Sequence, residues 1–103
     1  MTGEAEHKVA VLAVGEVHDS GDVSAACRAA VALLNRTGAR ILECDAAGIT
    51  RPDLLTVELL ARLKLTSVRS GRIFRVRNAP TRLVKLLHFA GLEEVLDVKA
   101  AQV

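Results

Sequence analysis

The stretch ILECDAAGITRPDLLTVELLARL, residues 41–63, decides the fold. It opens with Ile41, Leu42 and Cys44 on nearly successive positions, in a run too short for a helix, which predicts a strand covered on at least one face. A loop over residues 45–52 follows and ends in Arg51 and Pro52. Asp53 then opens a helix, because its carboxylate can accept bonds from the first unpaired N–H groups and Leu55, Leu59, Leu60 and Leu63 recur at helical spacing behind it. That helix start, set beside a short polar loop between two apolar elements, is where function is expected.

Working outward, the helix is predicted to run to about Ser70, where Gly71 ends it, with Arg62, Lys64 and Arg69 on its other positions. Residues 72–77 (RIFRVR) alternate Phe74 and Val76 against Arg75 and Arg77, the pattern of a strand with one buried and one wetter side. Residues 78–80 break it, and Pro80 suits the first turn of a third helix carrying Leu83, Leu87 and Ala90, stopped at Gly91 with Leu92 folding back. Residues 95–98 form a short final strand or turn. Upstream, the valine-rich run at residues 8–14 predicts a first strand and residues 15–21 a turn. Val23, Cys27, Ala30 and Leu34 then mark an amphipathic helix between an N-cap at Asp22 and a left-handed cap at Gly38. Strand and helix alternate throughout, with connections suited to crossovers between parallel strands, so the fold class is α/β in a single domain, residues 1–103. Residues 1–6 carry no periodicity and are expected to fray.

Composition excludes several functions. Half the chain is hydrophobic, enough for one core at this length, but only 2% is aromatic, so stacking platforms for single-stranded bases are nearly absent. A net charge of +2 is too small for a general polyanion attractor. No nucleic-acid partner is expected. No apolar run approaches the roughly 20 residues a bilayer span needs, and the opening MTGEAEHK is polar and acidic, so a soluble cytoplasmic protein without membrane insertion is expected. Cys27 and Cys44 have neither CxxC spacing nor a nearby histidine pair and read as small hydrophobes, without a metal or a disulfide.

No catalytic constellation is legible. His7, His18 and His88 are scattered, and His18, Asp19 and Ser20 are consecutive turn residues that cannot face one another as acyl transfer requires. Gly38, Gly71 and Gly91 stand singly at helix ends and build no phosphate loop. No enzyme and no cofactor are expected. Arg72, Arg75 and Arg77 have two readings, an anion-binding strand or a solvated sheet face.

Five segments carry a family resemblance: KVAVLAVGEV, ILECDAAGI, RPDLLTVELLARL, RIFRVRNAP and RLVKLLHFAGLEEVL, together spanning about residues 8–98. In this order and spacing the chain resembles the STAS domain, the sulfate transporter and anti-sigma factor antagonist family. The resemblance implies a small mixed sheet of about four strands with helices mainly on one face. It implies a noncatalytic regulator in a partner-switching circuit, binding a kinase-type anti-sigma factor at the helix that opens at Asp53. Arg51, Pro52, Asp53, Leu54, Leu55 and Thr56 are the implied contact patch. Where the family pattern has Asp followed by Ser, Ser and Gly, this chain has Asp53, Leu54, Leu55 and Thr56, so the phosphorylatable serine is replaced by Leu54. A leucine cannot take up the roughly −1.5 to −2 charge of a phosphate, and the usual switch cannot operate there. Leu54 is then either ordinary packing or an apolar anchor for a partner. Thr56, some 200° further around the helix, does not inherit the phosphosite. STAS-like subunits also serve lipid ABC transporters, which makes docking on the ATPase subunit the alternative function; homodimerisation is left open.

Overall fold

A computed structural model describes residues 8–102. Its strands are β1 (Val9–Ala13), β2 (Ile41–Asp45), β3 (Ile73–Ala79) and β4 (Val98–Ala100), and its helices are α1 (Ser20–Thr37), α2 (Leu54–Arg69) and α3 (Thr81–Phe89). The strands lie side by side in chain order, and every pairing is parallel. The fold is therefore α/β with four described strands, and the sheet is parallel where the family resemblance implied a mixed one. Each of the first three strands is followed by a helical crossover that carries the chain back to the starting end, so the next strand runs the same way.

Register explains why one face is covered. Ala10, Leu42 and Phe74 are aligned across β1, β2 and β3, as are Leu12, Cys44 and Val76, and these rows point into the core. All three helices close over that side. Val23, Ala30 and Leu34 of α1, Leu59, Leu60 and Leu63 of α2, and Leu83 and Leu87 of α3 join one cluster with them. Fully burying each such leucine contributes about 1.5–3 kcal/mol against exposure. The opposite rows lie on the other face: Val9, Ile41 and Ile73, of which Ile41 is itself buried, then Val11, Glu43 and Arg75, then Ala13, Asp45 and Arg77.

The element ends follow local chemistry, with three departures from the sequence reading. Helix α1 is capped by Asp19, whose carboxylate accepts from the Asp22 N–H at 2.9 Å; Asp22, the expected cap, instead accepts from the His18 N–H at 2.7 Å. Both aspartates are competent caps; the chain caps α1 with Asp19 and leaves Asp22 to hold the backbone just before the cap. Strand β3 continues through the expected break at Asn78, which takes φ 59° where the pairing with β4 slips, and its amide donates to Asp45 at 3.2 Å. Asparagine tolerates that left-handed conformation better than most residues. Ala90 is exposed at the end of α3, so the buried stripe there is Leu83 and Leu87 alone. By contrast, the strand-or-turn reading of residues 95–98 holds, since 95–97 form a turn, with Leu96 buried, that leads into the last strand at Val98. The Gly91 turn also forms as read, with φ 76° and the Leu92 N–H bonded to the Leu87 carbonyl at 2.9 Å. The expected fraying of residues 1–6 lies outside the described residues.

Candidate functional site

The loops that leave the carboxyl ends of β1 and β2 meet and set the start of α2. The Val14 N–H bonds to the Asp45 carbonyl at 3.1 Å, and a Cβ on Gly48 would stand only 3.3 Å from the Val14 oxygen, so a side chain there would press on that backbone. Glu16 then clasps the second loop. One of its carboxylate oxygens accepts from the Thr50 N–H and the Thr50 hydroxyl, both at 2.8 Å, and from the Arg51 N–H at 3.0 Å. The Thr50 hydroxyl, followed by the Thr50 N–H and the Arg51 N–H and charge, holds the Glu16 carboxyl below its ordinary value. Glu16, Val17, His18, Thr50, Arg51 and Asp53 line an open depression of about 440 Å³ between these loops.

Beyond that clasp, Asp53 and Thr56 form a capping box. The Asp53 carboxylate accepts from the Thr56 N–H at 3.1 Å, while the Thr56 hydroxyl accepts from the Asp53 N–H at 3.2 Å. The Thr56 side chain is thereby used up, and the residue is buried at 1% exposure. Thr56 is the correction to the six-residue patch: its hydroxyl faces the cap, not a partner. Leu55 is half-buried and packs on the core cluster, and Pro52 is also half-buried. Arg51, Asp53 and Leu54 are exposed. Leu54, at 81% exposure, is not ordinary packing.

The arginine strand is already engaged by the protein. Arg75 pairs with Glu43 at 2.9 Å across β2 and β3, and Arg77 reaches the Asp97 carbonyl at 2.7 Å. Arg72 donates to the Ala39 carbonyl at 2.6 Å and to the Ser70 carbonyl at 2.8 Å. These bonds fit the solvated-face reading, since each guanidinium has structural acceptors.

Both cysteines are free thiols, Cys27 half-buried and Cys44 buried. Burial, with a smaller contribution from the Asp45 charge, pushes the Cys44 thiol up to about 12, so it stays protonated and unreactive at neutral pH. His88 accepts from or donates to Glu93 at 2.9 Å on the surface, away from the α2 start in sequence, and among the described residues no three His, Cys, Asp or Glu side chains gather as a metal site. Among the described residues no helix is long and apolar enough to cross a membrane.

Two features escaped the sequence reading. Glu16 lies 34 residues from Thr50, and nothing local announces their bond. Leu65 and Val68, exposed on α2, were legible in principle, because they continue the spacing that starts at Leu54. Comparison with protein-family models finds no match, and comparison with curated proteins finds none either. What the site defines by geometry is a one-sided parallel α/β domain presenting a capped helix start with an exposed leucine.

Proposed function

We propose that this protein is a noncatalytic interaction module of the STAS type, an antagonist-like cytoplasmic regulator in a partner-switching circuit that docks on a kinase-type anti-sigma factor. The observation that carries this reading is Leu54. A leucine 81% exposed on the first turn of a capped helix loses no contacts in the free domain and gains them when a partner covers it. Its neighbours Arg51 and Asp53 supply a polar rim, and the Glu16 clasp on Arg51 and the capping box at Asp53 hold their backbone in place before binding. With leucine at the position of the family's serine, binding is constitutive at this site and is regulated through the partner or through expression.

Mixing the protein with a kinase-type anti-sigma factor and ATP tests the reading. A stoichiometric complex on sizing chromatography, no phosphate on the patch, and loss of the complex in Leu54→Asp are expected. Phosphate on any patch residue, or a complex indifferent to Leu54→Asp, would overturn it. Native capture that returns the ATPase subunit of a lipid transporter would replace the regulatory assignment with the accessory one.

A further inference from the structure

Helix α2 is apolar on two sides. Thr56, Leu59, Leu60, Leu63 and Ser67 are buried against the sheet and α1. Directly opposite, Leu54, Glu58, Ala61, Leu65 and Val68 advance in steps of four, three, four and three residues. At about 100° per residue these five lie within about 40° of one line, and they extend about 21 Å along the helix. All five are exposed, Leu65 at 48% and Val68 at 51%. A helix needs one apolar stripe to hold it in a domain. The second stripe serves no packing in the free chain.

The spacing names the shape of what covers it. Alternating steps of three and four are the a and d positions of a heptad, the seam into which a second helix packs its side chains. The single polar member, Glu58, is already paired with Arg62 at 3.3 Å. The flanks name the charge. Beside the seam, the half-buried Leu55 and Val57 flank its start, and Arg62, Lys64 and Arg69, all basic, flank the rest; neither Lys64 nor Arg69 pairs with an acid among the described residues. A parallel second copy of this helix would set Lys64 against Arg69, and an antiparallel one crossing at Ala61 would set Arg62 against Arg62, so like charges meet in either orientation.

We propose that α2 is a helix-docking seam, and that its occupant is an amphipathic helix with apolar seam positions and acidic flanks, presented by the binding partner. The proposal rests on the interaction reading above and extends it, from contact at the helix start to contact along its whole outer side. Leu54 becomes the first of four apolar anchors. Affinity comes from burying them, and choice of partner from the basic flanks.

A direct test titrates the full chain with two synthetic amphipathic peptides, each with leucine at its seam positions, one carrying glutamate and the other lysine at the flanks. Fluorescence anisotropy is expected to show the glutamate peptide binding at least about tenfold more tightly in dilute buffer, with the preference shrinking at about 1 M salt, where charges are screened. The double variant Leu65→Gln with Val68→Gln is expected to weaken that binding by about tenfold or more at an unchanged melting temperature. Reversal of the flanks (Arg62→Glu, Lys64→Glu, Arg69→Glu) is expected to shift the preference to the lysine peptide. Equal binding of both peptides, binding of neither, or a dimer in sedimentation that Leu65→Gln dissociates would overturn the proposal. The peptides contain no anti-sigma factor, so their result is independent of the regulatory assignment. Conversely, a partner complex broken by Leu54→Asp but untouched by the double glutamine variant would overturn the seam alone.

Discussion

Helix α2 turns leucines in two directions, and the two sets meet different surroundings. Leu59, Leu60 and Leu63 are fully buried, whereas Leu54 and Leu65 stand 81% and 48% exposed. The side chains are chemically the same, and the difference lies in what the rest of the chain brings to each side. On one side are the sheet rows of Leu42, Cys44, Phe74 and Val76; on the other is solvent. The same contrast divides the sheet, whose covered face is apolar and whose other face passes from the exposed Val9 and Ile73 at one end to the Glu43–Arg75 pair and Arg77 toward the other. A buried apolar stripe stabilises the fold, and an exposed one is surface held for something else.

Stability measurements should separate the two sides most sharply at Leu63 and Leu65. Leu63→Ala is expected to cost about 2–5 kcal/mol in urea unfolding, since it leaves a cavity in the core. Leu65→Ala should stay within about 0.5 kcal/mol of the parent. Equal costs would break the comparison.

The thiols extend it to alkaline pH. Because the folded Cys44 thiol is pushed up to about 12 from an ordinary 9.0, its contribution to stability is full below about 9 and is lost as pH rises toward 12. Cys44→Val should remove that part of the alkaline decline in a pH series of unfolding midpoints. Under native conditions a thiol reagent should modify Cys27 and reach Cys44 only on unfolding.

A smaller loss is expected at the junction of the two sides, the capping box. Asp53→Ala should cost about 1 kcal/mol, and a double-mutant cycle with Thr56→Val should show strong coupling, because each residue bonds the other's backbone. The smallest effect belongs to Glu16, which is fully exposed. Its lowered carboxyl means that the clasp contributes above the ordinary range near 4.5 and is lost as pH falls through the lowered value. Glu16→Gln should flatten the acid limb of the stability profile and leave the alkaline limb alone.

The parts of this fold that could be read in advance are those whose cause is local. Gly38, Gly71 and Gly91 end helices because each takes a positive φ, and Asp53 starts one because its acceptor lies three residues from the N–H it serves. Reading failed where two local choices were equally good. Asp19 and Asp22 both cap well, Asn78 can end a strand or bulge it, and Thr56 looks like an available hydroxyl until its partner Asp53 is considered. In the site, the position of Leu54 at the helix start was legible, but its exposure was not.

Residue order by itself determined the alternation of strands and helices, the Asp53 cap and the glycine stops, and the leucine standing at the start of the second helix, since hydrogen bonds and periodicities closing within a few residues carry that information. Only the tertiary structure decided which apolar side of α2 lies against the sheet, that neighbouring strands run parallel, and that Glu16 reaches Thr50 across 34 residues. Burial is a property of what surrounds a side chain, and those surroundings come from distant parts of the chain.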